Sequence, residues 1–237
     1  MSTKTDRNHR WFDVLTAFVS SVCLLLSVPA VAGAVSVADG VSRFPWYLSR
    51  ASGILAFALL TLSTAWGLVM SSRAFPKIVR GADAYEWHRS LSFASLSAVI
   101  LHFGSLFFDP FVQLTLSDAF IPFFFARDGL VSVSGFDMRM PVAFGVVSFY
   151  LIVILVLTAE FRAKLPPRAW RVIHYASFAA YPLFLAHGFM SGTDSGEGWM
   201  RAIYASSAVL VGCLVLCRIW FRNILPLLRR RIAGSSS

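Results

Sequence analysis

Six apolar stretches of about 20 residues each dominate this chain and restrict the folds that are open to it. They cover residues 11–35, 48–70, 87–108, 141–161, 172–190 and 200–221. Hydrophobic residues make up 57% of the 237 residues and charged residues only 14%. Each stretch is long enough to cross the hydrocarbon core of a bilayer, and helices satisfy their own backbone hydrogen bonds there. We therefore predict an all-α membrane protein, built as a bundle of six transmembrane helices.

The same pattern predicts one domain. Residues 1–10 form a cytoplasmic tail, residues 11–221 the transmembrane domain, and residues 222–237 a basic cytoplasmic tail. No stretch outside the spans has the length or periodicity of a soluble domain, and no glycine-rich nucleotide fingerprint is present. The chain is therefore expected to carry no flavin or nicotinamide module of its own.

The net charge of +9 follows membrane topology and does not form a nucleic-acid-binding patch. If both termini are cytoplasmic, sixteen of the 21 Lys and Arg residues lie inside, and the five others lie outside beside seven acids. The outer basic residues are Arg43, Arg50, Arg127, Arg139 and Arg201. This asymmetry predicts a multi-pass membrane protein with the lipid bilayer and no nucleic acid as partner. We expect it in the cell (inner) membrane of a bacterium.

The first apolar stretch has a second interpretation. Lys4, Arg7 and Arg10 precede it and small residues close it, as in a secretory signal with a cleavage site. Cleavage and retention both stay open. In either case the second span enters the membrane from outside, so the orientation of the later spans is unchanged.

Four histidines lie inside two of the spans, His88 and His102 in the third and His174 and His187 in the fifth. Ionisable side chains are costly in a bilayer and usually mark a functional site. The two spans run in the same direction, so the depths of the side chains pair His88 with His174 and His102 with His187. At 1.5 Å per residue, about 21 Å of helix separates the two layers.

The spacing along each span decides which faces the histidines occupy. Fourteen residues bring His88 and His102 to within about 40° of one helix face, whereas thirteen residues leave His174 and His187 about 140° apart. Pro182 lies between the second pair and can bend or rewind the helix. We therefore predict a local irregularity near residues 179–182.

Haem iron is the metal centre that two depth-matched imidazole pairs would best bind. A metal-ion site would add carboxylates or thiolates, and the third and fifth spans contain no Asp, Glu or Cys. Two other classes stay open: a haem-binding sensor or assembly factor without catalysis, and a proton or metal transporter without haem.

The residues around these histidines resemble the ferric reductase-like transmembrane domain. This domain is shared by ferric reductases, NADPH oxidases and the haem-bearing membrane subunit of the bacterial methionine sulfoxide reductase system. The resemblance covers residues 46–220. The motifs that carry it are WHRSLSFASLSAVILH, WRVIHYASFAAYPLFLAH, SRASG at the start of the second span, and HGFMSGTDSG from the last histidine.

The resemblance implies two b-type haems stacked across the membrane. His88 and His174 would hold the inner haem iron, and His102 and His187 the outer one. Arg50 resembles the family arginine near the outer haem and would pair with a propionate; an ordinary interfacial anchor is the alternative. The cytoplasmic arginines Arg89, Arg168 and Arg171 would neutralise inner propionates or dock an acidic donor, although the positive-inside pattern alone also explains them.

The implied function is electron transfer, as the membrane component of an oxidoreductase. NADPH oxidases have a further histidine where this chain has Leu106, which puts superoxide production in doubt. Larger family members continue into a flavin and nicotinamide domain. Here electrons would come from a cytoplasmic flavoprotein or from quinol, and any flavin would be supplied by or shared with a partner.

The acceptor outside would be ferric iron, oxygen or a periplasmic protein. The outer loop at residues 109–139 contains PFVQLTLSDAFIPFFF, which is typical of an interfacial or re-entrant segment and is expected over the outer haem. The alternatives are a haem-binding membrane subunit of a periplasmic reductase system and a non-catalytic haem sensor.

Overall fold

The computed structural model describes residues 43–72, 74, 82–110, 112–125 and 135–226, and the regular elements of this part are all helices, joined by turns and short loops. Its α-helices are α1 (Phe44–Ser72), α2 (Ala82–Leu106), α3 (Leu116–Phe120), α4 (Arg139–Glu160), α5 (Pro167–His174), α6 (Ser177–Ser191) and α7 (Gly198–Ile219). A 3₁₀ turn follows α4 at Arg162–Lys164, and a π-helical turn extends α7 at Trp220–Ile224.

Three helices of the described part are long and apolar enough to cross a membrane: Phe44–Ser72, Arg139–Glu160 and Gly198–Arg222. They correspond to the predicted second, fourth and sixth spans. The predicted third span is the 25-residue helix α2, whose first turns carry Asp83, Glu86 and Arg89 beside His88. The predicted fifth span is divided between α5 and α6. The predicted first span, 11–35, lies outside the described residues, so six spans and two cytoplasmic termini stay predictions.

The irregularity predicted for the fifth span is present, but its predicted position at residues 179–182 is wrong. The helix breaks at residues 175–176, directly after His174, and Pro182 lies in the second turn of α6. Proline cannot donate a backbone hydrogen bond and its ring clashes with the preceding turn. Pro182 therefore lies inside α6, where it removes one intrahelical hydrogen bond, and the break is upstream of the proline.

The break also changes the direction in which the histidines point. Four hydrogen bonds of the tight i to i−3 type cross it: Tyr175 to Val172, Ala176 to Ile173, Phe178 to Tyr175, and Ala179 to Ala176. A residue in such a turn advances about 120° about the axis instead of about 100°. The extra rotation therefore reduces the angle of about 140° that an ideal helix would leave between His174 and His187.

The helices that carry the histidines, α2, α5 and α6, pack mainly against α1 and α4 and less against each other. Helix α1 packs along α2 and also contacts α6 and α7, while α4 contacts α5, α6 and α2. One apolar cluster, which includes Phe57, Tyr181, Phe184 and Tyr204, joins α1, α6 and α7. A second cluster joins α2 to α4. The space between α2 and the α5–α6 pair is left for side chains that project into it.

Candidate functional site: two histidine pairs

The inner pair joins the first turns of α2 to the end of α5. The ring centroids of His88 and His174 are 6.3 Å apart, and the ring planes are inclined at 83°. The outer pair joins the end of α2 to the middle of α6. The ring centroids of His102 and His187 are 6.2 Å apart, with the planes at 71°. The structure therefore brings together the same partners that matching by depth predicts.

These separations are the ones that shared coordination of one ion would require. A metal–nitrogen bond is about 2.0 Å long and an imidazole nitrogen lies about 1.1 Å from the ring centre. Two imidazoles that approach one ion from opposite sides therefore have centroids about 6.2 Å apart. Direct hydrogen bonding between two rings would bring their centroids closer, so both separations agree with one ion shared by the two rings of a pair.

Backbone carbonyls orient both outer histidines. The Nδ1 atom of His102 lies 2.8 Å from the carbonyl oxygen of Ser49 in α1, and Nδ1 of His187 lies 2.8 Å from that of Pro141 in α4. A carbonyl only accepts hydrogen bonds, so each Nδ1 must carry the proton and donate it. The Nε2 atom of each ring is then the unprotonated one, which is the form that binds a metal.

The inner histidines have weaker partners. Nδ1 of His88 lies 3.4 Å from the hydroxyl of Ser63, which is 2.9 Å from the hydroxyl of Ser92. Nδ1 of His174 is buried and has no hydrogen-bond partner within the described part of the chain. Its ring stacks on Trp170, with centroids 5.1 Å apart and planes at 19°. The two layers thus differ in how firmly the chain orients their rings.

Three glycines make room for three of the imidazoles. A Cβ atom on Gly53 would lie 2.9 Å from Nδ1 of His102, and one on Gly67 would lie 3.1 Å from Cε1 of His88. A Cβ atom on Gly145 would lie 2.7 Å from both Cε1 and Nδ1 of His187. The contacts at Gly53 and Gly145 are too short for a side chain, and the one at Gly67 is tighter than most, so the rings occupy the space that glycine leaves.

Reasoning from the sequence missed these glycines, although a signal was present. Gly53 and Gly67 are fourteen residues apart, the same spacing as His88 and His102. Two neighbouring helices that run in opposite directions bring such residues opposite each other at both depths. Gly145 has no counterpart at that spacing, and only the packing of α4 on α6 identifies it.

Each pair faces its own cavity. The inner cavity, of about 480 Å³, is lined by His88 and His174, and the outer cavity, of about 270 Å³, by His102 and His187. Leu60, Ile152 and Phe184 line both cavities and so separate them. The inner volume is within the range of small-molecule and cofactor sites, and the outer one is just below it.

Arg50 lines the outer cavity and has a partner that the sequence did not reveal. Its Nε lies 2.6 Å from Oδ2 of Asp194, and its Nη2 donates to Oδ1 of the same carboxylate. The guanidinium also lies 5.2 Å from the ring centroid of Trp46. Asp194 belongs to the GTDSG segment, so this pair ties the start of α1 to the loop that follows α6. A role toward a haem propionate stays a prediction.

Arg89 lines the inner cavity, and its guanidinium makes a two-fold ion pair with Glu160 at the end of α4. The two distances are 3.0 and 2.9 Å, and both side chains are largely buried. This pair joins α2 to α4 beside the inner histidines. Arg89 is therefore already neutralised by a carboxylate of the chain.

Four further arginines surround the inner cavity: Arg162, Arg171, Arg218 and Arg222. None of these four has an acidic partner in the part of the chain that the structure describes. Arg168, by contrast, is exposed and does not line the cavity. Positive charge therefore surrounds the inner cavity. Of Arg168 and Arg171, which the sequence predicts near the inner haem, only Arg171 lines this cavity.

The outer loop places apolar side chains beside the outer cavity. Helix α3 begins with a capping box between Thr115 and Asp118, and Asp118 and Ala119 line the cavity. Large side chains on the other face are exposed: Leu116, Phe120, Ile121, Phe123 and Phe124. An amphipathic segment of this kind fits the predicted interfacial position next to the outer histidines.

The residues of both pairs fit a haem. Within the described residues no group of three or more His, Cys, Asp or Glu side chains comes together, and two imidazoles are too few for a structural zinc site. Haem iron has four ligands from its macrocycle and takes axial ligands from the protein. The separation of the rings within each pair and the glycines behind three of the rings match that requirement.

Comparison with known proteins supports the same family. Residues 52–185 match the family model described as the ferric reductase like transmembrane component. The match includes His88, His102 and His174 and ends two residues before His187. No curated protein and no solved structure matches the chain. Domains of this kind generally bind haem and serve electron transfer in membranes. Since the match spans more than half of the 237 residues, the chain belongs to the ferric reductase-like transmembrane family.

Proposed function

We propose that this chain carries electrons across the membrane with two b-type haems. His88 and His174 would hold one iron, and His102 and His187 the other. The observation that supports this proposal is the geometry of the pairs, with centroid separations of 6.3 and 6.2 Å at two depths of one bundle. Haem iron accepts and releases one electron at a time, and that is the chemistry it would supply here.

The chain's own residues supply position and environment. The carbonyl oxygens of Ser49 and Pro141 hold the outer imidazoles in one tautomer, with Nε2 directed away from the backbone. Leu60, Ile152 and Phe184 keep water out of the space between the layers, since all three are apolar and line both cavities. The arginines around the inner cavity favour anionic groups at that side of the bundle.

The donor would be a cytoplasmic flavoprotein or quinol, and any flavin would be supplied by or shared with that partner. The acceptor would lie outside the membrane and would be ferric iron, oxygen or a periplasmic protein. The charge distribution of the sequence supports this direction, since it predicts a cytoplasmic position for the inner pair.

Haem content tests the proposal. The purified chain should contain two protohaems per polypeptide by the pyridine haemochrome assay. Replacing His88 or His174 by Ala should remove one haem, and replacing His102 or His187 should remove the other, because each layer has only two axial ligands. His9→Ala is a matched control, since His9 lies outside the predicted spans, and this variant should keep both haems.

A chain that binds no haem, or a single-ligand variant with both haems and an unchanged spectrum, would reject this assignment of ligands. A second measurement addresses the electron path. Protein reconstituted in vesicles should pass electrons from a reductant on one side to an impermeant acceptor on the other. Haem binding without such transfer would leave a haem-binding sensor as the function.

A further inference from the structure

We propose that the inner site is an exchangeable one: small neutral ligands of iron displace His174 there, whereas the outer site is closed to them. This inference rests on the proposed function, because it requires haem in both layers. The inner site, which otherwise only carries electrons, would also bind small molecules such as carbon monoxide or imidazole.

The first observation is a difference in how the four imidazoles are held. His102 and His187 each have a carbonyl partner for Nδ1 at 2.8 Å and a glycine behind the ring. His88 has the hydroxyl of Ser63 at 3.4 Å and Gly67 behind it. His174 alone has no hydrogen-bond partner for Nδ1 within the described residues, and none of their glycines lies against its ring. Turning the His174 ring away therefore breaks no hydrogen bond of the chain.

The second observation concerns the backbone that carries this residue. His174 is the last residue of α5, an eight-residue helix, and the break at residues 175–176 follows it. The three other histidines lie within helices of 15 to 25 residues. A side chain at the end of a short helix is fixed by fewer neighbours than one inside a long helix. The buried Nδ1 atom could also donate a hydrogen bond to water once the ring moves toward the mouth of the cavity.

The third observation is the space. The inner cavity is about 480 Å³ and the outer one about 270 Å³. A water molecule occupies about 30 Å³ in the liquid. The extra volume of the inner cavity over the outer one is therefore enough for a diatomic molecule. The aromatic ring of Trp170 stacks on His174 and lines the same cavity, so this contact resists the movement.

The step is a ligand exchange. The bond between iron and Nε2 of His174 breaks, a bond between iron and the incoming ligand forms, and His88 stays as the opposite ligand. No electron is transferred in the exchange. Carbon monoxide binds ferrous haem, so dithionite supplies the electron that reduces the iron beforehand.

The test is carbon monoxide binding to the purified full chain after reduction by dithionite, followed by difference spectroscopy and quantified against haem content. We expect one carbon monoxide per two haems. In His102→Ala, which retains the inner site, binding should persist at one per remaining haem. In His88→Ala, which retains the outer site, binding should disappear. The opposite pattern, or no binding to a chain that holds two haems, would overturn the inference.

A second variant tests the role of the stacking contact. Trp170→Ala should speed carbon monoxide binding about fivefold, the factor expected for the loss of one aromatic pair. Trp199→Ala is the matched control, because Trp199 is half exposed at the start of α7 and lines neither cavity, and its rate should not change. Equal rates in both variants would contradict the assignment of His174 as the exchanging ligand. Absence of haem from the chain would instead reject the proposed function.

Discussion

Gly145 in α4 lies directly behind the imidazole of His187 in α6, so close that a Cβ atom there would lie 2.7 Å from both Cε1 and Nδ1 of the ring. The same ring donates from Nδ1 to the carbonyl of Pro141, one turn earlier in α4. One helix thus supplies both the hydrogen-bond acceptor and the surface on which this histidine rests. The position of His187 is therefore set by α4 as much as by α6.

We expect Gly145→Ala to displace the His187 ring and to reduce occupancy of the outer site. The added methyl group overlaps a ring that is held by a hydrogen bond, and overpacking of this kind costs about 1–3 kcal/mol. Haem content and the thermal midpoint of the purified variant measure the effect. Gly53→Ala should be milder and Gly67→Ala milder still, in the order of their contact distances of 2.9 and 3.1 Å.

Gly212→Ala is the matched control, because a Cβ atom at this position of α7 meets no atom within 4 Å. Alanine has a higher helix propensity than glycine by up to about 1 kcal/mol, so this variant should be as stable as the original or more so. If Gly145→Ala behaved like Gly212→Ala, the close contact with His187 would have no consequence for the site.

The ion pair of Arg50 and Asp194 gives a second prediction. Asp194 is buried, with 7% of its side chain exposed, so Arg50→Ala leaves a buried carboxylate without its cation and should lower the thermal midpoint. Adding Asp194→Asn to that variant removes the uncompensated charge and should restore part of the loss. The measurement is a double-mutant cycle of thermal midpoints in one detergent.

Arg43→Ala serves as the control for loss of a positive charge at the same end of α1, and we expect no change in the midpoint. Additive effects of the Arg50 and Asp194 substitutions would show that the two side chains do not stabilise the loop together. An effect of Arg50→Ala on the spectrum of the outer haem alone would instead support the predicted propionate partner.

Topology gives a third prediction. Asp137→Cys, in the exposed part of the predicted outer loop, should react with an impermeant maleimide added outside intact cells. Lys164→Cys, in the 3₁₀ turn after α4, should react only after the membrane is opened. The unsubstituted chain measures the background of Cys23, Cys213 and Cys217. Reversed labelling would invert the direction of the proposed electron path.

The fourth prediction is that the purified chain does not oxidise NADH or NADPH at a steady rate, although dithionite reduces its haems. Hydride donors deliver two electrons and haem iron accepts one, so a flavin normally stands between them. The predicted cytoplasmic segments at 71–86 and 162–171 are too short to enclose one. Steady turnover with nicotinamide cofactor and an external acceptor, without an added flavoprotein, would show that the chain completes the path alone.

Much of the candidate site follows from the sequence. Fourteen-residue spacing on one helix, and the parallel direction of two spans, are enough to predict which histidines meet, and the structure places them accordingly. The spans are less well predicted. Residues 172–190 read as one helix because hydropathy does not report a break of two residues, and the structure divides them at residues 175–176. Pro182 suggested that this helix is interrupted, but the position of the interruption depends on where the next helix can start.

The sequence by itself determined the class of protein and predicted which histidines meet, because hydrophobic length and helical rise act along the chain and need no partner. Only the tertiary structure decided what holds each ring: the carbonyls of Ser49 and Pro141, the glycines of α1 and α4, and Asp194 opposite Arg50. These contacts join residues from different helices, and their existence depends on the distance between two helix surfaces. Periodicity along one chain segment carries no information about that distance.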